Sequence, residues 1–407
     1  MNHFPAQSCG LRRALLAAAS ALMIAGCGGG GSGPAAPVAG DVVNVSMLNS
    51  PTGVEQAGAT RKLRYLMTGV DGGLTQANAL LFLPRGTAPA GGWPLTVWAH
   101  GTTGVSDGCA PSRDYAQLGD SDVVAPLLAA GFAVLAPDYE GLDAPGVHPY
   151  LVRDSLGHSI VDAVKAAQGL GEVSLSKRWA VLGHSEGGFA ALAAAQFAGE
   201  LGAGRELRAV VALAPASDLA QLTDLNFAAL DSLTAAGEAD SAAHVVLALN
   251  YYGGMIAQGF RAVLPGVAPE AMFGSRVSPF LAKAESDSDC NQYGMALTQD
   301  FQSFVIAGGD MRAYAGVKRD WHQNAPVRDF LARNRVGQMR LRAPVFVAQG
   351  LADLEVHPAA TATLVETLRA NGNQVTSVTV PDADHQAVVA AQLAASIAFV
   401  RERMAAP

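Results

Sequence analysis

Short, almost unbroken apolar runs recur along the 407-residue chain, and helical spacing fills the gaps between them. Leu95–Ala99, Gly131–Pro137, Arg178–Leu182, Leu207–Leu213, Pro344–Ala348 and Val375–Val380 have the length and composition of buried strands. Ser155–Leu170 spaces Ile160, Val161, Val164 and Ala167 along one helical face, and Gly187–Glu200 is an alanine-rich helical stretch. Strands apolar on both faces need cover on both, which predicts an α/β fold with a mostly parallel central sheet flanked by helices. Residues from about Gly40 to Leu83 predict an antiparallel lead-in to the same sheet.

One connection is far longer than a crossover requires. Between Ala214 and Pro344 lie about 130 residues, where a dozen or more suffice for a crossover helix. Helical patterns at Asp218–Ala236, Ala242–Tyr252 and Asp300–Ala307 predict an inserted helical cap over the carboxyl edge of the sheet, where open α/β sheets bind ligands. The expected organisation is a core of residues 41–217 and 341–407 interrupted by a cap at 218–340.

Half the residues are hydrophobic and 15% are charged, which excludes a disordered polymer. Asp and Glu outnumber Lys and Arg by 35 to 27, without a basic run, so the counterion-releasing footprint of a nucleic-acid binder is missing. At the N-terminus, Arg12 and Arg13 precede the apolar run Ala14–Ala25, too short to span a bilayer, which ends in Ile24-Ala25-Gly26-Cys27. Residues 1–26 resemble a bacterial lipoprotein signal peptide, which implies lipidation of Cys27; an ordinary secretory signal cleaved nearby is the alternative. Residues 27–40, including GGGGSGPAAP at 28–37, read as a flexible linker. Both readings place the body outside the cytoplasm. Gly28 after the cysteine implies outer-membrane delivery if the cell is Gram-negative. The exported body keeps two cysteines, Cys109 and Cys290, an even number in an oxidising compartment. They are either a disulfide or two buried thiols.

Gly183-His184-Ser185-Glu186-Gly187 fits the pattern G-x-S-x-G. With 45 glycines the pattern alone is weak, and Gly104-Val105-Ser106-Asp107-Gly108 fits it too. The motif needs a strand before it and a helix after it, so that a strained turn pushes the hydroxyl out at the sheet edge. Arg178–Leu182 and the helix from Gly187 supply both for Ser185. Ser106 runs instead into a loop with Cys109 and Pro111.

A serine hydroxyl needs an adjacent base, and on such a turn the partners follow in the order acid, then histidine. His385 follows the late strand Val375–Val380 and is the expected base; His357 is the backup, while His244 and His322 fall in the cap as surface or cap-edge residues. Asp353, after Pro344–Ala348, is the expected acid, with Glu355 two residues beyond. Asp382 and Asp384 beside His385 read as turn residues. Oxyanion donors are expected from the backbone of Glu186 and from His100-Gly101-Thr102-Thr103-Gly104, with Thr102 preferred and Thr103 next. No HExxH, CxxC pair, P-loop or strand-borne GxGxxG points to a metal or cofactor.

HGTTG at 100–104, Cys109-Ala-Pro-Ser112, APDYEGL at 136–142, HPYLV at 148–152 and GHSEGG at 183–188 together resemble the secretory lipase family. The resemblance runs from about Asn44 to the C-terminus. It implies an α/β-hydrolase fold with a helical cap, no cofactor, hydrolysis of small-molecule or lipid carboxylic esters, and a triad of Ser185, Asp353 and His385. It also implies a disulfide between Cys109 and Cys290. Glu186 departs from the neutral residue expected there, and its carboxylate would oppose the oxyanion unless it points away. Asp138-Tyr139-Glu140 reads as structural, bonding loop amides, with a substrate role as the alternative. Rival functions are a serine peptidase or amidase with the same triad, and a hydrolase-like binding protein without chemistry.

Overall fold

The computed structural model describes residues 35–48, 52–202, 204–286 and 290–405. The expected signal segment, Cys27 and the linker up to residue 34 lie outside them. The last linker residues already join the body: the Gly40 amide donates to the Leu66 carbonyl at 2.7 Å. Residues 37–407 form one compact unit.

Among the described residues, nine strands make one sheet: β1 (Val42–Met47), β2 (Ala57–Thr68), β3 (Leu74–Pro84), β4 (Trp93–Ala99), β5 (Ala133–Pro137), β6 (Leu175–His184), β7 (Glu206–Leu213), β8 (Val345–Gly350) and β9 (Val375–Val380). Their spatial order is β1-β2-β3-β5-β4-β6-β7-β8-β9. The β1–β2, β2–β3 and β3–β5 pairs are antiparallel, and every pair from β5 to β9 is parallel. The lead-in and the parallel sheet match the expectation from sequence.

The helices are α1 (Tyr115–Leu118), α2 (Ser121–Ala129), α3 (Arg153–Gly169), α4 (Glu186–Phe197), α5 (Leu219–Ala236), α6 (Ala239–Gly259), α7 (Gln292–Ile306), α8 (Ala325–Asn334), α9 (Pro358–Ala370) and α10 (Ala387–Ala405). Side chains alternate across a strand, so each central strand feeds two cores. Leu95, Val97, Val181, Val210 and Val347 join α3, α4, α5 and α6 on one face. Trp98, Leu182, Val211, Phe346 and Ala348 join α2 and α10 on the other. This two-sided burial is why the strands read as continuous apolar runs.

The stretch between β7 and β8 is helical, as anticipated. Asp218 caps α5 by accepting the Gln221 amide at 3.1 Å, and Gly237 ends that helix at φ 80°. Helix α7 begins at Gln292, well ahead of the expected Asp300, because Tyr293, Leu297 and Phe301 form a buried i, i+4, i+8 stripe that Gly294 and Thr298 dilute in the sequence. Helices α2, α8, α9 and α10 were not anticipated. The apolar residues of α5 and α6, including Leu222, Leu230, Val245 and Met255, belong to the same core as one sheet face.

A disulfide joins Cys109, in the loop after β4, to Cys290, just ahead of α7, across 181 residues. Closing so long a loop removes chain entropy from the unfolded state, with about 5 kcal/mol as the upper value. Replacing both cysteines by serine is expected to lower the unfolding free energy by about 2–5 kcal/mol in urea titrations. Superimposable unfolding curves would contradict this.

Candidate active site

Strand β6 ends at His184, α4 begins at Glu186, and Ser185 alone makes the turn between them, with φ 56° and ψ −116°. A non-glycine residue in this region costs about 1–3 kcal/mol, so the surroundings must hold it. The Ser185 amide donates to the Leu213 carbonyl at 2.9 Å, and its carbonyl accepts the Phe189 amide at 3.0 Å. The motif glycines allow the helix to crowd the strands. A Cβ on Gly187 would stand 1.9 Å from the Ala99 carbonyl oxygen, and one on Gly183 would stand 2.1 Å from that of Gly187. Both contacts are with backbone, which cannot swing aside.

The ends of β6, β8 and β9 bring three distant side chains together. His385 Nε2 lies 2.9 Å from Ser185 Oγ, and its Nδ1 lies 2.7 Å from Asp353 Oδ2. A carboxylate only accepts, so Nδ1 carries the proton and Nε2 is free to receive the hydroxyl's. Asp353 is 2% exposed. Its Oδ1 accepts the amides of Glu355 and Val356 at 2.8 and 2.9 Å, and its Oδ2 also accepts Gln349 Nε2 at 2.9 Å. Hydrogen bonds to a charged group contribute about 1.5–3 kcal/mol each, which offsets the burial of a carboxylate. Burial acts to lower the His385 pKa, but the hydrogen bond and charge of Asp353, aided by Glu355 and Asp384, outweigh it and raise the value.

His184 was passed over in the sequence because it is the variable residue of the motif. Its Nε2 donates to the His385 carbonyl at 2.8 Å, and the two rings lie 4.5 Å apart. Burial, then the neighbouring His385 charge, depress its pKa to about 3. It is therefore a neutral donor that pins the backbone carrying His385.

The loop after β4 passes beside the serine: a Cβ on Gly101 would lie 3.9 Å from Ser185 Cβ. Thr102 Oγ1 is 2.7 Å from the Tyr150 hydroxyl, which fixes that side chain. Glu186 opens α4, so its amide has no acceptor within the helix. Its side chain runs away from the serine into a buried pocket, where Oε1 meets His148 Nε2 at 3.1 Å. His148 Nδ1 must donate to the Glu140 carbonyl, 2.7 Å away. The carboxylate thus points away from the serine and is held by His148.

Other candidates stand elsewhere. Ser106 is extended at φ −107°, and its hydroxyl donates to the Ser286 carbonyl at 3.0 Å. His357 caps α9 by accepting the Ala359 amide at 3.2 Å, and Asp384 accepts the amides of Gln386 and Ala387. His322 pairs with Asp224, 3.3 Å away, and His244 with Glu355, 3.5 Å away. Asp138 accepts the Ser112 amide at 2.8 Å; burial lifts its pKa to about 6 against that bond. Glu140 accepts the Val70 amide and the Ser155 hydroxyl. These carboxylates bond the loops, as the structural reading expected.

Ser185 and His385 open into a cavity of about 70 Å³ under α5 and α6. Its walls are largely apolar, with Leu219, Leu222, Leu249, Ile256 and Trp321 among them, and Glu355 at its edge.

The sequence model of the secretory lipase family matches residues 116–407, a span that holds Ser185, Asp353 and His385. The chain belongs to the secretory lipase family. Comparison with curated proteins gave no match. Among solved structures, lipase A of Candida antarctica in its closed state aligns at 17% identity and a TM-score of 0.67, over 90% of this chain and 83% of that one. The rice cell wall degrading esterase LipA of Xanthomonas oryzae aligns at 21% identity and a TM-score of 0.66, over 90% and 98%. At these identities the likeness is one of fold, the α/β-hydrolase fold. Membership makes the chain a carboxylic-ester hydrolase by family.

NMR titration is expected to place the His385 imidazole above the ordinary histidine range and to move it downward in Asp353→Asn. An unshifted titration in the variant would contradict the coupling.

Proposed function

We propose that the protein is an exported serine carboxylic-ester hydrolase working through Ser185, His385 and Asp353. The observation that carries this reading is the continuous hydrogen-bonded series from Ser185 Oγ through His385 to Asp353, at 2.9 and 2.7 Å, at the mouth of an apolar cavity.

Ser185 Oγ attacks the ester carbonyl as Nε2 takes its proton, and the carbonyl π electrons move onto oxygen. The amides of Glu186 and Thr102 stabilise that oxyanion. Collapse breaks the bond to the alcohol, which leaves with the proton from Nε2, and the acyl group stays on Oγ. Water, deprotonated by His385, then releases the acid and restores the serine. The acyl chain enters the cavity beneath α5 and α6, whose apolar walls suit a hydrocarbon group.

Residues 41–217 and 341–407 act as the core and 218–340 as its cap. Among the described residues no helix is long and apolar enough to cross a membrane. The family description supports export, and Ile24-Ala25-Gly26-Cys27, at the end of the segment that resembles a lipoprotein signal peptide, supports a lipid anchor. Labelled palmitate is expected to enter the native chain and not Cys27→Ala; equal labelling, or none, would contradict the anchor.

Ser185→Ala is expected to lower kcat for p-nitrophenyl butyrate by about 10⁶-fold, and Asp353→Asn by about 10⁴-fold. Native turnover in Ser185→Ala would overturn the assignment. Because His385 must be neutral to act, and its pKa is raised, kcat/KM is expected to fall with acid from a pH above the ordinary histidine value.

A further inference from the structure

Glu355 is a charged side chain at the site that the triad does not use. Its backbone amide helps hold Asp353, yet its carboxylate turns the other way, toward the substrate side of the imidazole. Oε2 lies 3.8 Å from His385 Nε2, the nitrogen that faces Ser185. The Tyr252 hydroxyl donates to Oε2, and His244 Nε2 stands 3.5 Å from Oε1. The Asn226 amide nitrogen holds the Glu355 carbonyl at 2.9 Å, which fixes the backbone beneath it. The side chain is 14% exposed. Burial acts to raise its pKa, but His244, His385 and Tyr252 outweigh this and hold it at about 2.

Glu355 also sits where two cavities meet. The apolar one carries Ser185 and His385; the other, of about 650 Å³, is more open and has Gln299, Gln302 and Asn291 in its walls. Ala248, Tyr252 and Glu355 line both. An acyl chain in the first cavity leaves the alcohol to leave toward the second. The leaving oxygen must come within about 3 Å of Nε2 to receive its proton, which brings the next atoms of the alcohol to the Glu355 carboxylate.

We infer that Glu355 determines alcohol specificity: it favours esters whose alcohol part bears a hydroxyl close to the ester oxygen, as in polyol esters, and rejects alcohol parts bearing a negative charge. An ionised carboxylate offers about four lone-pair sites and no donor, and its protein partners occupy two. A nearby hydroxyl of the alcohol can donate to the remainder, whereas an ether cannot and an anion is repelled. This deepens the ester-hydrolase reading and rests on it.

The test uses three butyrate esters of matched size: 2-hydroxyethyl, 2-methoxyethyl and carboxymethyl. Ratios of kcat/KM within one preparation cancel any difference in folded fraction. The native protein is expected to prefer 2-hydroxyethyl to 2-methoxyethyl by about tenfold, and 2-methoxyethyl to carboxymethyl by about a hundredfold. Glu355→Gln, which removes charge and keeps hydrogen bonding, should cut the penalty against carboxymethyl by about tenfold and retain part of the hydroxyl preference. Glu355→Leu should bring the hydroxyl preference to about one. Equal rates on the three esters by the native protein, or native ratios in both variants, overturn the inference and leave the hydrolase standing. No hydrolysis of any ester by the native protein overturns the hydrolase reading and this inference with it.

Discussion

The single-residue turn at Ser185 is the constraint from which the rest of the site follows. One residue reverses the chain between β6 and α4, at φ 56°, and it does so because Gly187 and Gly183 let helix and strands approach within contact of bare backbone. The strain exposes a hydroxyl at the carboxyl edge of a parallel sheet and leaves the first amides of α4 without intrahelical acceptors. A hydroxyl and an unpaired amide in consecutive residues are the two groups that acyl transfer needs at one point.

The sheet supplies the remaining geometry. Because β6, β7, β8 and β9 run parallel, the loops after β8 and β9 reach the same rim as Ser185, and Asp353 and His385 meet there although 32 residues separate them. Each is then held by groups outside the triad. Asp353 is gripped by the Glu355 and Val356 amides and by Gln349, and His385 by the neutral His184 ring at its own carbonyl. On the opposite side, Tyr150 bonds Thr102 and His148 bonds Glu186, so the loop holding HPYLV steadies both oxyanion candidates. The Cys109–Cys290 bond ties the loop after β4 to the segment before α7.

Much of this is legible in the sequence, for a physical reason. Strands buried on both faces, such as Val345–Gly350, are apolar except where a polar side chain is fully bonded, as Gln349 is, and helices covering them keep a clear period. The order of serine, acid and base follows from the strand order, so Asp353 and His385 could be chosen over Asp384 and His357 by position alone. Other features were hidden because they depend on where side chains point. Nothing along the chain tells that Glu186 turns into a pocket holding His148, or that His184 reaches a carbonyl 201 residues away. The sequence places Glu355 two residues beyond the expected acid and gives it no role; only the fold brings its carboxylate to the Nε2 end of the imidazole, away from Asp353 at Nδ1. The exposed face of α8, and Gly294 and Thr298 beside the stripe of α7, blur the helical period between β7 and β8.

The central claim is that His385 and Asp353 make the Ser185 hydroxyl nucleophilic in the folded protein. Reaction with a fluorophosphonate, followed by peptide mapping, tests it without reference to any substrate. A single adduct on Ser185, lost on unfolding and in His385→Ala, is the predicted result. An unlabelled native protein, or an adduct on Ser106 or another serine, would contradict the account.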